Sequence, residues 1–268
     1  MPAPKYPPVP AGTTRITTST AEKYLGCGVL FELEKDATHR WATVAMAIGT
    51  AVSIGAEEDN RSKLRGGEGI KLLDLVDASV EGYVREVEEC EVPASKFELA
   101  QGKDDSAAAA RAYGMQVSPN VQGILAAEEP IVAQVSEGFE LAGKPDVFTC
   151  DGVGDTKVGR ARTQEEADRS RQLSIGGLLY YTREGRFPRR VWFDSIAKGR
   201  NGYQATRLYS HRSGEDYART LFLLDRVRQG IERGVFLPPP EFGAWRCSKT
   251  WCAHYGRDCP VTGKGLIR

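Results

Sequence analysis

The stretch from Gly143 to Arg160, GKPDVFTCDGVGDTKVGR, restricts the fold more than any other part of this chain. It reads as two short strands around a turn, with Asp151-Gly152 as the hairpin signal. In that register Cys150 faces Val153, Phe148 faces Asp155 and Asp146 faces Lys157. Side chains alternate along a strand, so Asp146, Phe148, Asp155 and Lys157 share one face. Asp146 would lie about 5 Å from Lys157 and about 7–8 Å from Asp155 between Cβ atoms. Two carboxylates and an ammonium are poor strand material unless they serve a purpose. One chemistry suits them. Paired carboxylates can share a hard divalent cation with phosphate oxygens. Such a cation acidifies water and stabilises charge on phosphate. A solvated hairpin with one cross-strand salt bridge is the competing reading.

The elements around the hairpin place it in an α/β chain. Thr18–Cys27 reads as a short helix capped by Ser19, with Glu22 three residues later. Trp41–Glu58 reads as a buried helix of small residues, and the pattern within 66–89 as an amphipathic one. Residues 106–134 are Ala-rich and break near Pro119 and Pro130. After the hairpin, Thr163–Arg183 reads as one helix opened by a Thr163/Glu166 capping box. Arg190–Ala197 and Tyr203–Ser210 read as strands joined by KGRNG. Gly214–Gly234 closes as an amphipathic helix. Helices, strands, helix, strands and helix in that order indicate an α/β core with an added helical N-terminal part. Basic and acidic residues balance at 36 each, so net charge names no partner and any nucleic-acid contact needs a local basic patch. No run approaches the 18 or more apolar residues of a membrane span. The expected location is cytoplasmic.

Pro145-Asp146 followed by Asp155-Thr156-Lys157 resembles the PD-(D/E)XK signature of metal-dependent nucleases. Gln172, in SRQLSIGGLLYY, matches the supporting glutamine of the RecB-type branch. That branch often carries a tyrosine four residues later, where this chain has Gly176, with Tyr180 and Tyr181 a turn on. In GTAVSIGAE, Gly49, Ser53 and Glu57 follow the family's early helix, along one helical face. Ser53 stands at the usual histidine, so only Glu57 is carried over as a metal ligand. Glu128 or Glu129 could supply a further acid, and the sequence does not choose between them. The resemblance implies a restriction-endonuclease-like core with a mixed central sheet flanked by helices, and a Cys-rich C-terminal tail. It implies a DNA exonuclease of recombination, repair or phage DNA processing. Asp146 and Asp155 would hold Mg²⁺ or Mn²⁺, Lys157 would position water, and Gln172 would steady the lysine or the water. The alternative is a non-catalytic, metal-stapled DNA-binding subunit.

The same resemblance extends to the cysteines. Cys27 precedes the core, and Cys247, Cys252 and Cys259 follow it, as in the iron–sulfur version of this branch. There the four together hold a [4Fe–4S] cluster. Thiolates suit iron–sulfur or zinc. A zinc site from Cys247, Cys252, His254 and Cys259 is the alternative, and it leaves Cys27 unexplained. Residues 1–17 are then a Pro-rich flexible lead, and 18–268 one nuclease domain. Cys27 and residues 241–268 would form a metal-cluster subdomain. The expected substrate is single-stranded DNA or duplex ends, with no membrane, and with any helicase or recombination partner unspecified. Arg160, Lys198 and Arg200 are the candidate phosphate contacts, since Lys and Arg supply sequence-independent affinity for the backbone.

Overall fold

The computed structural model describes residues 6–35, 40–239, 247–249 and 251–262. The chain divides into two compact units, each discontinuous in sequence. One comprises residues 42–131 and 143–217, the other 1–41, 132–142 and 218–268. Among the described residues no helix is long and apolar enough to cross a membrane.

The larger unit is a mixed five-stranded sheet with helices. Its strands are β2 (Ile124–Ala127), β5 (Val147–Thr149), β6 (Gly152–Gly159), β7 (Arg190–Gly199) and β8 (Gly202–Ser210), adjacent in that order. Only β6 and β7 run parallel, and their connection carries α6 (Gln164–Asp168) and α7 (Arg171–Glu184). Two-residue turns cannot join parallel strands, so a helical crossover is required there.

Three further helices, α3 (Val44–Leu64), α4 (Leu72–Glu89) and α5 (Lys96–Ala112), pack with the sheet around one core. Small residues set how closely they approach. A Cβ on Gly55 would fall 2.2 Å from Ser79 Oγ, and one on Gly82 2.6 Å from Ile54 Cδ1. This explains the Gly- and Ala-rich run of α3, which leaves its partner helix room to sit close. Ala47, Ala51, Val52 and Ala56 of α3 join Val147, Trp192 and Ile196 in that core.

Several boundaries differ from the sequence expectation. Thr163–Arg183 is two helices rather than one. The Thr163/Glu166 capping box starts α6, and Ser170 then caps α7 through Leu173 N. Ser170 competes for backbone N–H groups and so restarts the helix. α5 begins ten residues before Ser106, at a Ser95/Glu98 capping box. It ends in a π turn over Tyr113–Val117 and a 3₁₀ turn over Ser118–Asn120.

The smaller unit holds β1 (Thr14–Thr17), β3 (Ile131–Ser136) and β4 (Phe139–Gly143), ordered β1-β4-β3, with β1 parallel to β4. Residues 14–17, expected in the lead, are therefore a paired strand. Arg15 and Glu140 form a buried ion pair at 2.6 Å across it. The first helix, α1 (Thr18–Gly26), is capped by Thr17 rather than Ser19. It is followed by α2 (Gly28–Glu34), and α8 (Gly214–Glu232) runs into the same unit.

Candidate active site

The hairpin forms, but its turn lies elsewhere. Observed pairs are Val147 with Gly154, Phe148 with Val153 and Thr149 with Gly152. Cys150 and Asp151 make the turn, and the register is shifted by two residues from the expected one. Gly152 is used differently from the hairpin signal. A Cβ there would lie 1.8 Å from the carbonyl oxygen of Arg190, so its missing side chain lets β7 approach. Thr149 Oγ1 accepts from the N–H groups of both Asp151 and Gly152 and fixes the turn. A shift of two keeps every side chain on its face. Continuing the register by one residue puts Asp146 opposite Asp155, not Lys157.

The carboxylates and the lysine are thereby brought together. Asp146 Oδ2 accepts from Thr156 N at 2.7 Å. Asp155 and Lys157, two apart on β6, place Lys157 Nζ 2.7 Å from Asp155 Oδ2. This buried oxygen has no other polar partner than that ammonium. Gln172, in the first turn of α7, donates from Nε2 to Asp155 Oδ1. Gly176 follows where the family often has a tyrosine. A Cβ there would already meet Val153 Cγ1 at 3.0 Å. Tyr180 is buried one turn later and its hydroxyl donates to Thr149 O at 3.2 Å, at the hairpin end.

Of Glu128 and Glu129, the structure turns Glu128 inward. Glu128 has φ 50°, and among the described residues it is the only non-glycine in the left-handed region. Such a conformation costs about 1–3 kcal/mol and persists only when its surroundings hold it. Here the Glu128 N–H donates to the carbonyls of Pro145 and Asp146, at 3.2 and 3.3 Å. The Glu128 side chain meets Lys144 Nζ at 2.7 Å. Glu57 on α3 reaches the same group, with Lys144 at 3.5 Å on one oxygen and Arg61 at 2.5 Å on the other. Sequence reading had not singled out Lys144. Its signal was its place two residues before Asp146, inside the hairpin already quoted.

The electrostatics follow from crowding. Burial, then the charges of Asp155 and Glu128, raise the Asp146 carboxyl well above its usual range, against the opposing pull of Lys157 and the Thr156 N–H. Burial likewise raises Glu128, with Lys144 opposing it. Burial would lower Lys157, but Asp155 and Asp146 outweigh it and raise its pKa. The site thus disfavours full ionisation of its acids until more positive charge arrives. Among the described residues no three His, Cys, Asp or Glu side chains converge enough to hold a metal ion. The pair Asp146 and Asp155 nevertheless fits one hard cation. Both donors are carboxylate oxygens, and Asp155 Oδ2 is buried with no polar partner besides the Lys157 ammonium.

The candidate phosphate contacts lie in the same unit. Arg160 is largely exposed and bonded to Glu166. Lys198 pairs with Asp105 at 2.6 Å, and Arg200 is exposed in the β7–β8 turn.

In the smaller unit Cys27, Cys247, Cys252 and Cys259 line one narrow pocket with His254. Gly28 permits this. Its N–H donates to Leu237 O at 2.7 Å, and a Cβ would lie 2.8 Å from Leu237 N. Burial raises the Cys247 and Cys252 thiols, and the neighbouring Cys259 and Cys27 raise them further. Four thiols lining one pocket are soft sulfur donors, the kind that iron–sulfur groups and zinc both take. His254 Nδ1 is engaged with Asp258 at 2.9 Å.

No family model and no curated protein matches the chain. Among solved structures, a protein of Eubacterium rectale described as a candidate exonuclease is similar at 13% identity. The match covers 95% of this chain and 90% of that one, with a TM-score of 0.54. At this identity the likeness establishes a common fold, and the mixed sheet flanked by helices agrees with the expected core. Another is the alkaline exonuclease LHK-Exo of Laribacter hongkongensis, at 14% identity. There 81% of this chain and 93% of that one are covered, with a TM-score of 0.29.

Proposed function

We propose that the chain is a metal-dependent DNA nuclease of PD-(D/E)XK type, in the RecB-type branch, acting as an exonuclease on single strands or duplex ends. The observation that carries this is the juxtaposition of Asp146, Asp155 and Lys157, with Asp146 Oδ2 on the Thr156 N–H beside Asp155 and Lys157 Nζ 2.7 Å from Asp155 Oδ2. The resemblance of the Pro145–Lys157 segment and the fold shared with a candidate exonuclease support it.

Asp146 and Asp155 would hold Mg²⁺ or Mn²⁺, with Glu128 and Glu57 at the margin. When bound, the cation supplies charge for the phosphate and lowers the pKa of water. The protein's own groups do the positioning. Lys157 lies beside Asp155 and stays protonated, so its ammonium can orient the attacking water and neutralise a phosphate oxygen. Gln172 donates to Asp155 Oδ1 and so orients the carboxylate whose Oδ2 meets Lys157. The Thr156 N–H fixes Asp146 in the same way. Water attacks phosphorus, the ester oxygen opposite it departs, and that oxygen takes up a proton. Arg160, Lys198 and Arg200 are proposed to meet the DNA backbone.

Cys27, Cys247, Cys252 and Cys259 are proposed to hold a [4Fe–4S] cluster. Lining of one pocket by all four supports this over the zinc set of Cys247, Cys252, His254 and Cys259, which would leave Cys27 idle.

The test is cleavage of labelled single- and double-stranded DNA by anaerobically purified protein, with Mn²⁺, Mg²⁺ or EDTA. Cleavage that needs metal and vanishes in Lys157→Ala is expected. DNA bound without cleavage by the wild type would identify a binding subunit instead, with Ser53 at the usual histidine as its cause.

A further inference from the structure

The carboxylate cluster contains a cation outside the hairpin motif. Lys144 Nζ lies between Glu128 Oε2 at 2.7 Å and Glu57 Oε2 at 3.5 Å, and its side chain is only 28% exposed. Its acceptor is not a flexible surface group. Glu128 is presented by its left-handed backbone, and the N–H that locks it bonds to Pro145 and Asp146, directly after Lys144. One short loop therefore fixes both lysine and glutamate.

Four carboxylates, Glu57, Glu128, Asp146 and Asp155, share the site with Arg61, Lys144 and Lys157, and Arg162 lies near enough to act on Lys157. The acids are thus already matched by fixed cations before any metal arrives. A two-metal site needs ions roughly 3.5–4 Å apart, with carboxylates open toward both. Here both oxygens of Glu57 already face cations, and Glu128 faces Lys144.

We propose that the Lys144 ammonium, clamped between Glu128 and Glu57, stands in the place of a second cation, so that the site takes one divalent ion per chain. This rests on the metal-dependent reading above. Lys144 is then a positioning residue that keeps two carboxylates neutralised beside Asp146 and Asp155.

The test counts bound ions rather than activity. Mn²⁺ is titrated into the full chain, and the free ion is followed by its paramagnetic resonance signal, with calorimetry in parallel. The soft thiols of the cysteine pocket compete poorly for this hard ion, and an Asp146→Asn/Asp155→Asn double variant sets the background. Wild type should bind one Mn²⁺ per chain. Lys144→Ala and Lys144→Met should bind two, the second more weakly, and Lys144→Arg should return to one. Two ions on the wild type would overturn the inference and leave the nuclease reading standing. So would an unchanged count of one in both folded neutral variants. No ion on the wild type would overturn the metal-dependent reading, and this inference with it. The wild-type count decides between one and two even if a variant fails to fold.

Discussion

Asp155 and Lys157 reach their positions within three consecutive residues of β6, whereas the four cysteines are drawn together from opposite ends of the chain. The first region is held by strand geometry. Its side chains alternate whatever the rest of the protein does, and even a two-residue slip of the hairpin preserved their common face. The second depends on a close backbone contact, Gly28 against Leu237, to bring Cys27 to the pocket of Cys247, Cys252 and Cys259. The two also differ in their donors. The hairpin site gathers acids with lysines already among them, while the pocket gathers soft sulfur donors. The first suits a hard, exchangeable cation and the second a tightly held thiolate-bound group.

The largest effect should come from breaking the hairpin site. Lys157→Ala and Asp155→Ala should each lower cleavage by about 10³-fold or more, with DNA binding kept, because transition-state charge would lose its partner. Gel-shift and cleavage assays on the same preparations check this, and cleavage within tenfold of wild type would refute the assignment.

Next in size is the pocket. Cys252→Ser or Cys259→Ser should abolish iron content and visible absorbance, and should cost several kcal/mol of stability where metal binding is folding free energy. Stoichiometric zinc with no iron in the wild type would replace the cluster by the zinc alternative. A subtler change separates holding from reacting. Gln172→Ala should reduce cleavage by about 10–100-fold, as expected for a partner that orients a ligand. The Mn²⁺ affinity should fall in parallel, and an unchanged affinity would show that Gln172 acts elsewhere.

The sharpest contrast concerns stability. Asp146 has its pKa raised in the folded state by burial and neighbouring acids. A raised carboxyl favours folding fully below its unfolded pKa, and this contribution is lost as pH rises through the folded value. Without added metal, stability should therefore decline over that window. Asp146→Asn should remove this part of the pH dependence. At neutral pH it should stabilise the metal-free chain by about 1 kcal/mol, or about 2–4 °C. Mn²⁺ should raise the melting temperature of the wild type but not of the variant. The smallest effect should be at the surface. Arg200→Ala should weaken DNA binding uniformly across sequences and reduce the salt slope by about one.

Much of this site could be read before the fold was known. The aspartates, Lys157 and Gln172 lie on elements whose faces follow from a local period, and the Thr163/Glu166 box marked a real helix start. The register could not be read. Gly152 looks like a turn glycine, yet it makes room for β7, a strand 38 residues later in the chain at Arg190. Ser170 split a helix that periodicity ran together, and the Ser95/Glu98 box started one earlier than the Ala-rich pattern suggested. Lys144 was legible as a charge and not as a partner, since its two acceptors come from α3 and from the loop after β2.

The sequence by itself determined which face Asp146, Asp155 and Lys157 share, because alternation along a strand is fixed by covalent geometry. It also supplied the donor types of the two candidate sites, carboxylate oxygen in one and thiol sulfur in the other. Only the tertiary structure decided that Glu128 and not Glu129 turns inward, because a left-handed backbone there needs two carbonyls from a neighbouring loop to hold it. Only the tertiary structure placed Lys144 between Glu57 and Glu128, and Cys27 beside the tail cysteines. Those placements arise from contacts between segments far apart in the chain, and no local period encodes them.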